Sequence, residues 1–442
     1  MPAKTTRIVI DNGGSTCKVG FAGQPDPVKL IPNGLAKSKS EHKVFVGDQF
    51  DSCQDFSALQ YRLSLERGCL VNWDTQAEVW GRAFGPDVLR VNPADCSLLL
   101  TETPLCPTAI QDTLDEMVFE HFGFDSYCTR QAPVLAALAM QQQQQQAQPP
   151  PAAAAPGEDA AASTAAPAAL VVDLGFSATH CVPIFGGCPL NFATKRLNVG
   201  GKMLTNHLKQ IVSYRSYNVM EETHLINDVK ERLCYVSLDL PTELALTRFK
   251  GKKNTLRRDF IMPDYVNHFK GQIRDPNAPD ASAAAPAAAA PAAASKKGTK
   301  SSATAAEEQV LKLSNERISV PEVLFRPSDI GIEQAGVAEC VVQAAEACLP
   351  DLREALYSNV VVTGGSALFP NFEERLRREL RALVPSDIDV GLASAADPLL
   401  CAWRGGSLFA ASDAYPSQVV TRAQYHEEGH AICRRRFLAQ QC

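Results

Sequence analysis

The sequence predicts an α/β protein of two similar lobes that face each other across a ligand cleft. Three observations carry this. Leu170–Gly187 (LVVDLGFSATHCVPIFGG) is an unbroken apolar run ending on Asp173, a tight turn with Gly175, and a second strand, Thr179–Phe185. Continuous apolar runs mark strands buried on both faces, so this is a central strand entering a hairpin. The pattern recurs at the N-terminus in RIVIDNGGSTCKVGFAG, with Asp11, Gly13 and Gly14 at the matching places. A third stretch, Asn359–Thr363 (NVVVT), is a buried strand ending in Gly364-Gly365, and Pro370 opens a helix over Asn371–Leu383.

The hairpins have a chemical rationale. Glycine lets backbone approach closely, so turn N–H groups can surround phosphate oxygens, while a carboxylate at the strand end can hold a hydrated magnesium ion. The second copy is altered: after Gly175 the turn reads Phe176-Ser177-Ala178, without a second carboxylate or glycine. An ordinary hairpin with a turn glycine is the alternative reading of either copy alone. Strand, glycine pair and helix admit a nucleotide's base or phosphate, although many βα turns share that pattern.

With 442 residues, 45% hydrophobic and 21% charged, the chain has enough length for two domains with substantial cores. A formal net charge of −6 argues against nucleic-acid binding by the whole surface and leaves room for local basic patches. No apolar run reaches membrane-spanning length, and the N-terminus enters a strand at once, so neither a membrane span nor a signal peptide is expected. The 14 cysteines include no C-x-x-C pair, so the expectation is reduced intracellular thiols and no metal site.

In chain order, Lys37, Lys39 and Lys43 form a short basic loop before strand-like Val44–Val46. A solvated surface loop is the plain reading, and a contact to a phosphate or a partner the sharper one. Asn72 or Asp74 caps a helix carrying Val79, Trp80 and Phe84. Ser97–Thr101 is a buried strand, and Thr108–Phe122 a helix with Ile110, Leu114, Met117, Val118 and Phe122 on one face. Cys128–Met140 reads as a second apolar helix linking the lobes. Gln141–Ala169 and Asn277–Ala306, rich in Gln, Ala and Pro, lack the apolar variety to pack and are expected to be disordered insertions. Between them lie helices Met203–Tyr214 and Leu225–Val236, and the basic run Lys250–Arg258, most simply a solvated surface.

Taken together these motifs closely resemble actin. DNGGSTCKVGFAG is similar to its first phosphate loop, VVDLGFSATHCVPI to its second, and VVVTGGSALFPNF to its adenosine motif. VNWDTQAEVW, VKERLCYVSLD, ERISVPEVLFRPSDIG, AWRGGSLFA and AQYHEEGHAI follow in the family's order along nearly the whole chain outside the two insertions. The segments IPNGLAKSKS, SYRSYNVMEETHLINDVKE and LSNERISVPEVLFRPSDIGI most resemble the nuclear branch of the family found in Swr/SRCAP-type chromatin remodellers.

The resemblance implies an actin-like two-lobed fold of duplicated ribonuclease-H-like domains around a nucleotide cleft. The first lobe would cover 1–140, with a small subdomain at about 33–67. The second would cover 170–442, with a small subdomain at about 199–306 and a segment from about 403 returning to the first lobe. Nucleotide-binding positions carried over are Asp11, Gly13, Gly14, Ser15, Lys18, Asp173, Gly175, Lys230, Glu231, Gly364, Gly365 and Phe369. Phe176 and Ser177 stand where actin has aspartate and glycine, and Leu399 replaces an adenine-side lysine. Gln131 and Ala132 compete for the place of the glutamine that positions the attacking water.

ATP or ADP with magnesium is therefore admitted but not required, and hydrolysis is not expected. The segment between Pro32 and Val46 is shorter than in actin, and Asp329 falls in the filament plug, so no homo-filament is expected. The implied partners are a remodeller motor ATPase subunit and a zinc-finger HIT-domain subunit, with nucleosomal DNA a candidate at Lys37, Lys39 and Lys43. The implied place is the nucleus, and the implied process is variant-histone exchange. The competing class is a nucleotide-switched actin-like ATPase. A small-molecule kinase of the same superfamily needs a catalytic carboxylate facing an acceptor pocket, and none stands in a convincing context.

Overall fold

A computed structural model describes residues 5–38, 43–53, 59–147, 168–263, 270–276 and 309–438. Among these, two larger sheets repeat one pattern. In the first, Thr6–Asn12 pairs antiparallel with Thr16–Phe21 on one side and parallel with Cys96–Glu102 on the other. In the second, Ala168–Leu174 pairs antiparallel with Thr179–Phe185 and parallel with Val360–Thr363. Ser126–Gln131 extends the first sheet in parallel, and Leu392–Ser394 does the same for the second. The central strands are buried on both faces, as their unbroken apolar runs require.

Each sheet anchors its own core. Ile8, Ile10, Leu98, Trp80, Phe119, Tyr127 and Trp403 belong to the first lobe's core; Leu170, Val172, Leu208, Val229, Leu324, Val341, Val362 and Leu376 belong to the second's. A third cluster joins Ala136, Ala139 and Met140 to Val171, Val182, Ile184 and Val361, so the Ala132–Ala147 helix lies on the second sheet after leaving the first. The Cys401–Ala411 helix packs on it and on Thr6–Asn12, with Trp403 Nε1 donating to Val9 O at 3.2 Å. The C-terminal segment then returns to the first lobe, where Val420–Thr421 pairs with Ser126–Tyr127.

Two small sheets stand apart from these. Gly34–Ser38, Val44–Val46 and Leu59–Leu63 form a three-stranded sheet closed over Ala36, Phe45, Phe50, Cys53 and Leu59. In the second lobe, Arg258–Ile261 lies between Gln272–Arg274 and Val310–Leu313, beside the Gly201–Arg215 and Thr223–Leu233 helices.

Several expectations need correction. Cys128–Met140 is not one helix: Ser126–Gln131 is a strand held parallel to Cys96–Glu102, and the helix begins at Ala132 with Pro133 in its first turn. That helix continues through the glutamine run to Ala147, since Ala, Leu, Met and Gln are all strong helix formers. The second hairpin's strand starts at Ala168, so the first insertion's edges shift inward, and its remaining part, 148–167, lies outside the described residues. Of the second insertion, 277–306 lies wholly outside them. The Thr108 helix keeps α geometry to Glu116 and then widens into a π turn over Met117–His121. Asn72 takes the N-cap position of Trp73–Phe84 without a side-chain capping bond.

Candidate functional site

The cleft between the sheets has a volume of about 450 Å³. Its lining includes every nucleotide-binding position carried over from the sequence: Asp11, Gly13, Gly14, Ser15, Lys18, Asp173, Gly175, Lys230, Glu231, Gly364, Gly365 and Phe369. Both hairpin tips and the glycine turn after Val360–Thr363 point into one space. Gly364 sits at φ 93°, where an L side chain is strained, and a Cβ there would meet Leu174 O at 2.4 Å. That turn therefore has to be glycine to lie against the second hairpin.

The first hairpin is tightly held. Asp11 and Lys18 are cross-strand partners, and Lys18 Nζ lies 2.7 Å from Asp11 Oδ2 with both residues buried. Thr101 Oγ1 donates to the other Asp11 oxygen at 2.8 Å and accepts from Asn12 N at 2.9 Å. Asn33 Nδ2 donates to both Asn12 Oδ1 and Gly13 O at 2.9 Å, and Ser64 and Gln76 in turn hold Asn33. The turn carrying Gly13, Gly14 and Ser15 is thus fixed, and all three residues line the cleft.

The second hairpin does not match it. Asp173 lies deep in the cleft, and its carboxyl is pushed up to about 6 by burial and then by repulsion from Asp11; Lys18 offsets only part of this. His180, its cross-strand partner, is 4% exposed and pushed down to about 4 by burial and by Arg196, and its Nε2 has no partner among the described residues. Phe176 and Ser177 occupy the space between the turns. A Cβ on Gly14 would come within 2.6 Å of Ser177 Oγ and 3.4 Å of Phe176 Cδ1, while one on Gly201 would come within 3.4 Å of Phe176 Cδ2. The phenyl ring is therefore flanked by two glycines, and a side chain on Gly14 would have no room beside Ser177.

On the nucleoside side, Lys230 donates to Gly201 O, Thr205 Oγ1 and Asn227 Oδ1 at 3.3, 3.0 and 2.8 Å, so its three protons are used within the second lobe. Burial lowers its pKa. Asn227 Nδ2 donates to Glu231 at 2.7 Å. Leu368, Phe369 and Leu399 give an apolar wall suited to a base. Ala132 lines the cleft whereas Gln131 does not; the Gln131 amide donates to Asn191 of the second lobe at 3.2 Å. Of the two candidates, Ala132 alone is on the cleft wall, and Gln131 is buried with its Oε1 unpaired among the described residues.

The residues present fit a nucleotide's base, ribose and inner phosphates. They do not fit the outer phosphate in the same way, because Phe176 and Ser177 supply neither the carboxylate nor the glycine that the resemblance places in the second turn. Away from the cleft, Lys37 is exposed on the Gly34–Ser38 strand and Lys43 just before the Val44–Val46 strand, Ser38 N donating to Lys43 O at 2.9 Å, while Lys39 lies outside the described residues. Asp329 is exposed on the Pro327–Ile330 turn.

Two α/β lobes with repeated hairpin tips facing a nucleotide-sized cleft define the actin class of protein. The chain belongs to the actin family, whose model matches residues 3–438. Its relatives include an actin-related protein 6 of Arabidopsis thaliana, 42% identical with 97% of this chain and 99% of that one covered. Another, of Oryza sativa subsp. indica, is 41% identical over 97% of this chain and 98% of its own. That of Drosophila melanogaster is 34% identical, covering 96% and 97%.

Proposed function

We propose that this chain is a non-catalytic scaffold subunit of a nuclear, Swr/SRCAP-type chromatin-remodelling complex that supports variant-histone exchange into nucleosomes. The observation that carries the non-catalytic part is the second turn itself, where Phe176 and Ser177 line the cleft at the places the resemblance gives to an aspartate and a glycine. They stand so near the first turn that a side chain at Gly14 would collide with Ser177 Oγ. Ala132 at the cleft wall and the internally paired Asp11 and Lys18 point the same way. The nuclear-complex part rests on the resemblance of the chain to actin-related proteins of the remodelling branch, with the motor ATPase subunit and a zinc-finger HIT-domain subunit as partners.

The intact first hairpin and the 450 Å³ cleft favour a second reading, a nucleotide-switched actin-like ATPase. One experiment separates the two. The tagged chain is purified from nuclei, its co-purifying subunits are identified, and assembly is repeated with and without ATP and magnesium. Nucleotide-independent recovery with a remodelling ATPase supports the scaffold. Nucleotide-dependent recovery, or sedimentable polymer of the purified chain, supports the alternative.

A further inference from the structure

Outside the cleft, two helices from opposite ends of the first lobe bring metal-ligating side chains together. Thr108–Glu116 carries Asp112 and Asp115, three residues apart and so on one face. His430–Leu438 packs against it and carries His430 and Cys433 at the same spacing. His430 Nδ1 lies 3.4 Å from Asp115 Oδ2 and 3.6 Å from Asp112 Oδ1, and the three donor atoms all fall within 4.8 Å of one another. These separations are close to the edge of a tetrahedron whose centre lies about 2.0–2.2 Å from nitrogen and oxygen donors. The Cys433 thiol, 1% exposed, hydrogen-bonds to the Asp115 carboxyl.

A second, independent feature adjoins the cluster. Asp115 and Cys433 line a small cavity of about 20 Å³, room for a single water-sized ligand, together with Glu102 and Tyr127. The Tyr127 hydroxyl is fully buried there and has no partner among the described residues. A lone phenol oxygen beside a carboxylate cluster is costly unless something in that cavity accepts or donates to it.

The geometry points to a divalent transition-metal site, zinc by preference, held by Asp112, Asp115 and His430 at the junction of the two helices. An imidazole nitrogen with two carboxylates suits zinc better than magnesium or calcium, which take oxygen donors. Asp115 joins this site to the cavity, where a water would link its carboxyl to the Tyr127 hydroxyl beside Cys433. Arg434 and Glu116 are part of the same cluster: Arg434 is ion-paired with Asp112 Oδ1, the oxygen nearest His430, and Glu116 Oε1 lies 3.6 Å from His430 Nε2. Loading the site therefore requires Arg434 to share or yield that oxygen, while Glu116 orients the His430 ring with Nδ1 toward the two aspartates. The ion then fastens the C-terminal helix to the body of the lobe. This goes beyond the scaffold reading and does not depend on it.

The test uses the full-length protein, stripped with chelator and titrated with zinc. Bound metal is counted by elemental analysis, affinity is read by competition with a fluorescent chelator, and cobalt substitution reports tetrahedral geometry. One equivalent of zinc, a rise in Tm on loading, and at least about a 100-fold loss of affinity in H430A and D115N are expected, with the cobalt spectrum absent from H430A. Because D115N changes a buried residue and can impair folding, the exposed-side change H430A carries the decision. No zinc uptake at micromolar zinc overturns the proposal, as does equal uptake by wild type and H430A, which would assign the metal to the chain's other thiols.

Discussion

Asp11 and Lys18 are cross-strand neighbours whose charged groups meet at 2.7 Å inside the first hairpin, with both residues buried. The lysine that the actin resemblance assigns to the nucleotide is thereby already paired within the protein. Removing one member leaves an uncompensated buried charge, and for such pairs the loss is typically about 3–5 kcal/mol. K18A is therefore expected to lower stability by roughly that amount, whereas the double change D11N/K18M, which removes both charges at similar volume, costs much less. Thermal and urea unfolding of the three proteins in the absence of nucleotide measures this. Equal stability of wild type and K18A would show that the pair contributes nothing to holding the hairpin.

Asp173 gives a pH dependence of definite sign. Its folded pKa of about 6 lies above the ordinary carboxylate value, so the folded chain binds this proton more tightly than the unfolded one. Stability from this group is complete below about pH 4 and is lost as pH rises to about 6, the penalty at pH 8 reaching about 3 kcal/mol. His180, held neutral with its pKa near 4, opposes this in the same window, because protonation as pH falls from about 6.5 favours unfolding. The difference between wild type and D173N isolates the carboxylate. D173N should be the more stable protein at pH 8, and the two should converge near pH 4. A difference independent of pH would place the Asp173 pKa at its ordinary value.

Much of the cleft was legible in the sequence because its parts are local. A continuous apolar run ending on Asp11 or Asp173, followed by a glycine turn, identifies a buried strand and its tip without knowledge of the partner strand. The glycine pair after Val360–Thr363 is equally local. Ser126–Gln131 was not legible: YCTRQ is a short run adjoining a strongly helical stretch, and its strand state comes from parallel pairing with Cys96–Glu102. The extension of the Ala132 helix through the glutamines was masked by their low complexity. The choice between Gln131 and Ala132 turned on one residue of register, which only the strand-to-helix junction resolves. His430 and Asp115 stand 315 positions apart, so no spacing rule could join them.

ATP turnover by the purified chain should not rise above background. Ala132 stands on the cleft wall, the Gln131 amide donates to Asn191 instead of entering the cleft, and Phe176 and Ser177 replace the second turn's expected carboxylate and glycine. The glutamine that the resemblance assigns to water positioning is thus not on the cleft wall, and geometry precedes pKa in such a role. Single-turnover assays with labelled ATP and magnesium, at enzyme in excess, check this. Product formation abolished by D173N would mean that the second hairpin retains a catalytic arrangement.

The basic segment carrying Lys37 and Lys43 offers the last test. Both lysines are exposed, Lys37 on the central strand of the small sheet in the first lobe, where it pairs with Val44, and Lys43 immediately before the Val44–Val46 strand. Neither contributes to a core, and charge reversal there should leave the fold and subunit assembly intact. If they neutralise nucleosomal phosphates, each lysine withdrawn from a phosphate takes close to one unit from the slope of log affinity against log salt. The double change K37E/K43E should therefore flatten that slope by about two units and weaken binding most at low salt. The measurement compares nucleosome affinity of the reconstituted complex across a salt series for wild type and the variant. Parallel lines would clear this hairpin of a DNA role. Loss of assembly would make it a protein contact, and only a flatter line with assembly intact supports DNA as what these lysines meet.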